Sequence, residues 1–400
     1  MEPNKNTSVF LRDTCKLGQV VKIQGGYSFQ SSAFTNRGIP IIRISNIDND
    51  QIDLKNSVVF YEEIKNLDEN FIAKDGDLLI AMSGATTGKA GVYKNTNLAY
   101  INQRVGKFIV TKPDKVIYKY LSCWVSSNHF TKQLSKYLAS GAQPNISPTN
   151  IEDMDIVLPD TKTQERIIRT LDAISNNISN LEALISKQEA IKKTTQFLLL
   201  QPKDNWNKIT LGDICDITGA GVDKKINPNE ERCVLLNYLD VYHKTYIYSS
   251  DLHHVVSAPK KQKLRCSVKK NDIFFTPSSE TPDDIARSCV AMEDMQDVAY
   301  SYHIVRARPK VECNSLFIKY MCSTNDFLLQ AQTACVGSGK RYVISLPKFR
   351  EFVIYMPDIE EQNKIATQLS EVDAHIENLK QQLAKQRAIK QGLMDCFFGN

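Results

Sequence analysis

Residues 83–90 have the composition of a phosphate-binding loop but not its spacing. The segment reads Ser-Gly-Ala-Thr-Thr-Gly-Lys-Ala. In a nucleotide-binding loop, a glycine opens the segment, and a serine or threonine follows the lysine to hold magnesium. Serine and alanine occupy those two places here, and residues 337–340, Gly-Ser-Gly-Lys, fail the same spacing. The sequence therefore argues against nucleotide hydrolysis.

Signatures of other catalytic or metal sites are also missing from the sequence. His253 and His254 are adjacent, but no cysteine or acidic cluster stands at ligand spacing from them, which favours a loop pair. The Asn-Pro-Pro-aromatic tetrad of amino-methyltransferases does not occur, and residues 227–229 predict only a turn. The ten cysteines are scattered without a CxxC pair, which favours buried thiols. We therefore predict a protein with no catalytic site, metal or cofactor of its own.

Polar residues suited to nucleic-acid contacts cluster instead beside predicted strands in both halves of the chain. Arginine and lysine match guanine edges, asparagine and glutamine match adenine edges, and cations bind phosphates. In the first half the candidate DNA-binding residues are Arg43, Ser45, Asn46, Ser83, Thr86, Thr87, Lys89, Gln103 and Arg104. In the second half they are Lys261, Lys263, Ser278, Ser279, Glu280, Thr281, Arg287, Lys340, Arg341 and Tyr342. For any one of them, a solvated loop position remains the alternative.

An internal repeat organises the elements that must position these residues. When the sequence is shifted by 198 positions, residues 159–192 align with residues 357–390 without a gap, and 13 of the 34 positions are identical. Chance at roughly 6% per position would give about two. Upstream the repeat is weaker, with Gly141, Ile146 and Ser147 matching Gly339, Ile344 and Ser345. Each half therefore combines a variable part with a repeated segment.

The repeated segments predict two long helices. Their apolar residues alternate in steps of four and three, which is the heptad spacing of a coiled coil. In the first segment they are Ile167, Leu171, Ile174, Ile178, Leu181, Ile185 and Ile191; in the second they are Ile365, Leu369, Val372, Ile376, Leu379, Leu383, Ile389 and Leu393. We predict that residues 164–201 and 361–397 pair lengthwise and antiparallel. The alternative is that each helix packs only on its own domain.

The variable parts predict mixed domains with a strong β component. Residues 38–44 and 233–236 predict buried strands, and residues 76–80 and 271–275 predict a turn followed by a strand. Residues 116–138 and 315–333 predict a helix before each long helix. The predicted fold class is α+β: two globular mixed α/β domains at 14–158 and 203–356, each followed by a long helix at 159–202 and 357–400. Residues 1–13 are predicted to be an N-terminal tail.

Composition is that of an ordinary globular protein with a mild basic excess. Of the 400 residues, 42% are hydrophobic and 24% are charged, and the net charge is +5. Such an excess suits a nucleic-acid binder without establishing one. The polar start of the chain lacks a signal-peptide pattern, and no apolar run is long enough to span a bilayer. The sequence therefore predicts a cytoplasmic protein with no membrane association.

Taken together, the repeat, the heptads and the loops resemble the specificity subunit of type I restriction–modification systems over nearly the whole chain. The junctions before the two long helices, at 141–147 with 157–159 and at 337–345 with 356–357, carry the resemblance most clearly. The segments Ser83-Gly84 and Ser278-Ser279-Glu280-Thr281-Pro282 also resemble family loop motifs. The junction adds Gln143 to the candidate DNA-binding residues. Lys340-Arg341 departs from Ala142-Gln143, so the second junction is expected to contact DNA differently.

This resemblance implies a non-catalytic subunit whose two target-recognition domains each read one half of a bipartite DNA site in the major groove. Two methyltransferase subunits would dock on the helices and domains, where bound S-adenosylmethionine would serve to methylate a flipped adenine in each half-site. A motor-nuclease subunit can join for ATP-dependent cleavage. Those cofactors would belong to the partners.

Two other classes of protein remain as alternatives. One is a coiled-coil scaffold or interaction protein that does not bind DNA, and the polar strand-end loops argue against it. The other is an enzyme with an unrecognised site, such as a fused nuclease, and the missing acid and histidine constellations argue against it.

Overall fold

A computed structural model describes residues 14–48, 51–138 and 144–399. The chain forms two compact units, here called unit 1 (Met1–Glu182 with Gln381–Asn400) and unit 2 (Ala183–Lys380). Both boundaries fall inside the long helices. Each unit therefore contains one globular part and one half of each long helix.

The first globular part and the helix that follows it contain these elements. The strands are β1 (Thr14–Lys16), β2 (Val21–Gly25), β3 (Ile39–Ile42), β4 (Ile47–Asp48), β5 (Gln51–Ile52), β6 (Val59–Tyr61), β7 (Ile72–Ala73), β8 (Leu78–Ala81), β9 (Ala90–Val92), β10 (Ala99–Ile101), β11 (Val105–Val110) and β12 (Asp155–Val157). The helices are α1 (Tyr118–Val125), α2 (Asn128–Leu138), α3 (Pro148–Glu152) and α4 (Thr161–Leu199).

The second globular part and its helix follow the same order with additions. The strands are β13 (Asn207–Thr210), β14 (Cys215–Thr218), β15 (Glu231–Leu236), β16 (Tyr246–Ile247), β17 (His254–Ala258), β18 (Ser267–Val268), β19 (Ile273–Phe275), β20 (Ser278–Ser279), β21 (Ser288–Ala291), β22 (Met295–Tyr300), β23 (Val305–Pro309), β24 (Val336–Ser338), β25 (Arg341–Val343) and β26 (Val353–Met356). The helices are α5 (Leu211–Ile214), α6 (Tyr238–His243), α7 (Lys260–Arg265), α8 (Ser315–Met321), α9 (Asn325–Ala334), α10 (Leu346–Glu351) and α11 (Ile359–Phe398).

The two units share one sheet plan. Unit 1 has the sheets β2-β11-β8-β9 and β6-β3-β10-β7, and unit 2 has the corresponding sheets β14-β23-β19-β21-β16 and β17-β15-β22-β18. In the second sheet of each unit the two central strands are parallel, β3 with β10 and β15 with β22. The main difference is β16, which extends the first sheet of unit 2 by one strand. The predicted α+β class and internal repeat are confirmed.

The predicted strands are confirmed, because each is a short apolar run that follows a turn. Strands β3 and β19 fall within their predicted segments, β15 and β8 overlap theirs, and β8 and β19 are buried throughout. Gly76 and Asn271 precede β8 and β19, and both have a positive φ, of 91° and 72°. Glycine and asparagine tolerate this left-handed conformation best, so they close the turns before the strands.

The prediction of one helix before each long helix was wrong, because each segment forms two helices. In unit 1 the break between α1 and α2 falls at Ser127, whose hydroxyl accepts from Phe130 N at 3.3 Å. In unit 2 Thr324 does the same for Phe327 N at 3.4 Å between α8 and α9. A hydroxyl that caps a new helix start competes with continuation of the preceding helix.

The long helices pair antiparallel within each unit. In unit 2 Glu189 pairs with Lys380 at 2.8 Å, and Lys192, further along α4, pairs with Asp373, earlier on α11. In unit 1 Glu182 pairs with Arg387 at 2.6 Å. Of the 15 predicted seam residues, seven are buried and six are half-buried, but the repeat-equivalent Ile191 and Ile389 are 42% and 40% exposed. These two isoleucines therefore depart from the predicted seam.

The end of each long helix enters a hydrophobic core. Leu200, directly after α4, is buried with Trp206 and Phe317 in unit 2. Phe398, at the end of α11, is buried in unit 1, where its ring centroid lies 5.4 Å from that of Tyr120. Leu200 and Phe398 are equivalent at the offset of 198. The same anchoring contact therefore occurs once in each unit.

A buried glutamine joins the start of each long helix to its globular part. Gln164 is fully buried; its amide donates to Lys115 O at 2.7 Å and to Pro159 O at 2.8 Å, and its Oε1 accepts from Ile117 N at 2.9 Å. Gln362 repeats this: Nε2 donates to Pro357 O, and Oε1 accepts from Asn314 N. Gln164 and Gln362 are equivalent at the offset of 198, so both units have the same structural joint.

Replacing this joint is expected to destabilise its unit strongly. Gln164→Leu keeps the volume but leaves a buried N–H and two carbonyls without their partner, which should lower the free energy of unfolding by about 2–4 kcal/mol. Urea denaturation can be followed through Trp124, which is buried in unit 1, with Trp206→Phe in every variant to remove the second tryptophan.

Arg166→Leu is the control for this variant, because Arg166 is exposed two residues along the same helix. It should change the free energy of unfolding by less than about 0.5 kcal/mol. A Gln164→Leu variant as stable as this control would show that the glutamine is not a joint.

Candidate nucleic-acid interface

In unit 1 the structure brings the three predicted groups of polar residues together. The 3-10 turn at Ile44–Asn46 lies beside the loop after β8, because Thr86 Oγ1 donates to Ile44 O at 2.8 Å. The loop after β10 joins the same place, since Met82 N donates to Arg104 O at 2.9 Å. The junction arrives from the other side, where Gly84 N donates to Pro144 O. Gln143 itself lies outside the described residues.

Several of the predicted side chains in unit 1 hold the loops in place. Asn46 is 2% exposed; its Oδ1 accepts from Arg43 N, and its Nδ2 donates to Asp53 O. Arg43 donates to Ser57 O at 2.7 Å, and Lys89 forms an ion pair with Asp48. Thr86 and Thr87 donate to backbone carbonyls. Each of these side chains therefore makes at least one polar contact within its own unit.

Other predicted residues of unit 1 face outward. Ser45, Gln103 and Arg104 are exposed. Within the described part of the chain, no carboxylate pairs with the guanidinium of Arg104. Ser83 Oγ is buried and has no hydrogen-bond partner among the described residues. Unsatisfied buried hydroxyls are uncommon, so Ser83 has capacity for a further contact.

The loop after β8 does not offer its amides to a phosphate. Thr87 N donates to Gly84 O, Gly88 N to Ala81 O, and Lys89 N to Thr86 O. A phosphate-binding loop instead points its amides at the ligand. These three amides are therefore used within the loop and its flanking strand.

In unit 2 the predicted loop residues form part of a small sheet. Ser278 and Ser279 lie in β20, which pairs with β25, where Ser278 faces Val343 and Ser279 faces Tyr342. Strand β24 completes the sheet through a hairpin turn at Gly339 (φ 68°) and Lys340. The prediction that residues 276–281 and 340–342 are loops is thus corrected in part: backbone pairing orders both segments and brings them together.

The two units join these segments in the same way. Ile146 N donates to Met82 O at 2.9 Å in unit 1, and Ile344 N donates to Pro277 O at 2.9 Å in unit 2. Ile146 and Ile344 are repeat equivalents. In both units the segment after a central strand of the first sheet is therefore tied to the junction before the long helix.

The side chains at this place differ between the units. In unit 2 Arg287 forms a two-nitrogen contact with Asp284 and lies over the ring of Tyr242 at 6.0 Å. Tyr242 also donates to Asp284, and this hydrogen bond raises the pKa of the tyrosine. Thr281 contributes its carbonyl to Ser279 Oγ. By contrast, Glu280, Lys340 and Arg341 are exposed, and Tyr342 is half-buried.

Lys261 and Lys263 are not brought to this sheet. They lie on α7, which packs against the chain near Gly221, where Gln262 Nε2 donates to Gly221 O. Lys263 pairs with Asp297 and Glu231, and its hydrogen bond to Asp297 raises its pKa. Lys261 is exposed. Of these two lysines, Lys263 is therefore held in ion pairs and Lys261 is exposed to solvent.

Sequence reasoning missed two groups in unit 2. Tyr302 and His303 follow β22 at the place where Gln103 and Arg104 follow β10, because the bridges Tyr27–Asn102 and Val222–Ser301 correspond. Burial and the charges of Lys224 and Arg341 lower the pKa of His303. The sequence signal for Tyr302 and His303 was their position just after a strand.

The second missed group is a pair of tyrosines on α6. Tyr238 and Tyr242 stack with ring centroids 6.0 Å apart, and Tyr238 OH donates to Ser278 O at 2.7 Å. The signal in the sequence was their spacing, because residues four apart lie on the same face of a helix.

Within the described ranges, no group of three or more His, Cys, Asp or Glu side chains is arranged to hold a metal ion. None of the helices described is long and apolar enough to cross a membrane. The arrangement is that of polar and cationic surface loops supported by engaged side chains. Such a surface can make hydrogen bonds and ion pairs to an extended anionic ligand.

Known sequences share this pattern. The family described as type I restriction modification DNA specificity domain matches residues 13–191 and 203–386, one match for each half. The MjaVIII specificity subunit of Methanocaldococcus jannaschii is 30% identical over 195 residues, which are 48% of this chain and 46% of that relative. The chain thus spans about half the length of that relative. The EcoBI specificity subunit of Escherichia coli is 22% identical over 96% of this chain and 84% of its own length.

Solved structures share the fold. The S subunit of the type I restriction–modification system from M. genitalium superposes with a TM-score of 0.58 and 13% identity, covering 100% of this chain and 98% of that one. The family match covers most of the chain in two copies, as the internal repeat requires. This chain belongs to the family of type I restriction–modification DNA specificity proteins.

Proposed function

We propose that this chain is the DNA-recognition subunit of a type I restriction–modification complex. Each unit would read one half of a bipartite duplex target, and the chain would position methyltransferase subunits and, in some assemblies, motor-nuclease subunits. It would have no catalytic activity and no cofactor of its own.

One observation carries the proposal. In both units the segment after a central strand of the first sheet is tied to the junction before the long helix, but the side chains around this tie differ. The tie between Ile146 and Met82 recurs between Ile344 and Pro277. The residues around it differ, with Gln103 and Arg104 in unit 1 and Tyr302 and His303 in unit 2. A protein that reads two different half-sites needs this combination of constant support and variable contacts.

Among the predicted contact residues, those that are exposed and not engaged are the best candidates to touch DNA. In unit 1 these are Ser45, Gln103 and Arg104; the hydroxyl of Ser83 is buried but also lacks a partner among the described residues. In unit 2 they are Glu280, Lys340 and Arg341, and Lys261 on α7. Arginine forms bidentate hydrogen bonds with a guanine edge, and lysine suits phosphates.

The long helices supply surface for protein partners. Ile191 and Ile389 are identical in the two repeats although both are about 40% exposed. An exposed isoleucine at equivalent places on two helices supports two copies of one partner, one on each. A coiled-coil scaffold without DNA binding is not favoured, because it gives no reason for the matched strand-end loops.

The purified chain is expected to bind duplex DNA with an affinity that falls as salt rises. Each phosphate contact releases counterions, so raising salt from 50 to 200 mM should weaken binding by about tenfold or more. Electrophoretic mobility shift or fluorescence anisotropy measures this. Salt-independent binding, or methyltransferase, ATPase or nuclease turnover by highly pure chain, would contradict the proposal.

Single arginine variants are expected to affect one half-site each. Arg104→Ala should weaken recognition in the half read by unit 1, and Arg341→Ala in the other half, by about 1–3 kcal/mol for each lost bidentate contact. Methylome sequencing of a host that expresses each variant complex measures this, with the exposed helix residue Arg169→Ala as control. Equal relaxation of both halves by either variant would overturn the division of labour.

A further inference from the structure

A half-buried polar cluster in unit 2 has no counterpart among the described residues of unit 1. Asp373 on α11 accepts hydrogen bonds from Tyr246 OH at 2.9 Å and from Tyr320 OH at 2.8 Å, and it forms an ion pair with Lys192 of α4. Lys319 lies beside it, and burial lowers the pKa of this lysine to about 8. The cluster fills the space between the globular part and the helices of unit 2.

The repeat identifies the equivalent positions in unit 1. The offset of 198 places Ser175 at the position of Asp373 and Lys390 at that of Lys192. Cys123 is the sixth residue of α1, as Tyr320 is of α8. In the described part of unit 1 no strand corresponds to β16, which carries Tyr246, and the first sheet ends at β9. Unit 1 thus has the lysine of this cluster but not its aspartate or either tyrosine.

The equivalent positions in unit 1 line an open cleft of about 920 Å³. Ser175, Cys123 and Lys390 all line it, and so do Gly91 and Val92 of the terminal strand β9. The cleft is therefore the space that unit 2 fills with its own side chains.

Two of the four cations that line this cleft have no ion-pair partner among the described residues. Lys390 and Lys94 line it, and within the described ranges neither has a carboxylate within ion-pair distance. The other two cations that line it, Lys119 and Arg387, pair with Asp172 and Glu182. Because the acid that neutralises the equivalent of Lys390 is absent here, the cleft favours an incoming carboxylate.

We propose that this cleft receives a segment of the methyltransferase subunit that places a carboxylate on Lys390 and an aromatic ring beside Cys123. The segment would reproduce between chains the contacts that Asp373 and Tyr320 make within unit 2. The identity of the partner rests on the function proposed above. Among the described residues of unit 2, Asp373 and Tyr320 occupy the equivalent positions, so the two partner copies dock differently.

A polypeptide fits the cleft better than DNA does. The loops proposed to bind DNA follow the end of β8, whereas the cleft lies at the start of that strand, next to Gly76 and Leu78. Leu171, Ile178 and Met394 also line the cleft. Apolar surface is buried favourably by side chains and not by phosphates.

The test is assembly of the full chain with the methyltransferase subunit encoded beside it, measured by native mass spectrometry and calorimetry. Lys390→Glu should weaken one of the two binding events at least tenfold and leave a complex with a single methyltransferase copy. The exposed Lys385→Glu, on the same helix, is the charge-matched control and should stay within twofold of the unmodified chain.

A second variant tests the same site by filling it. Ser175→Asp combined with Cys123→Tyr supplies the acid and ring of unit 2 from the chain itself, so it should also remove one partner copy. Salt-dependent DNA binding should be unchanged in both variants, which shows that they fold.

Three further outcomes are distinguishable. Two methyltransferase copies bound with unchanged affinity to Lys390→Glu would overturn the cleft and leave the proposed function standing. Loss of DNA binding in Lys390→Glu, with both methyltransferase copies retained, would assign the cleft to DNA and overturn the inference. An unmodified chain that binds neither DNA nor the methyltransferase subunit would overturn the proposed function as well.

Discussion

The arrangement of each unit depends on one buried amide side chain at the first turn of a long helix. Gln164 and Gln362 each bridge the helix start to the segment that leads into α1 or α8. A buried amide must satisfy both its donor and its acceptor, so the bridge fixes the direction in which the helix leaves its globular part. Because the junction before the helix is also tied to the loops after β8 and β19, the candidate DNA-binding residues inherit this orientation.

The ion pairs along the seam add pairing specificity more than stability. Glu182–Arg387 in unit 1 and Glu189–Lys380 in unit 2 occupy equivalent places with the acid and base exchanged. Exposed pairs of this kind contribute about 0–1 kcal/mol each. Two copies of α4 paired in the same register would place Glu182 opposite Glu189, and two copies of α11 would place Lys380 opposite Arg387. The charges therefore favour α4 with α11 over pairing between identical helices.

Periodicity and repetition made much of the fold predictable from sequence. The heptads gave the long helices, and short apolar runs after turns gave β3, β8, β15 and β19, because these signals are local. The breaks at Ser127 and Thr324 were missed, since a hydroxyl cap competes with helix propensity in a way that apolar spacing does not reveal. At the candidate site, composition could not separate exposed Arg104 from buried Asn46. That distinction depends on tertiary hydrogen bonds, such as the one from Asn46 to Asp53.

In the function proposed above, one chain reads two separate half-sites through two copies of one framework that carry different side chains. The most direct measurement is selection of bound duplexes from a fully randomised library by the chain assembled with its methyltransferase subunits, followed by sequencing. The account predicts two short, unlike motifs separated by an unspecified gap of constant length. A single continuous motif, two motifs at freely varying distance, or no enrichment at all would contradict it.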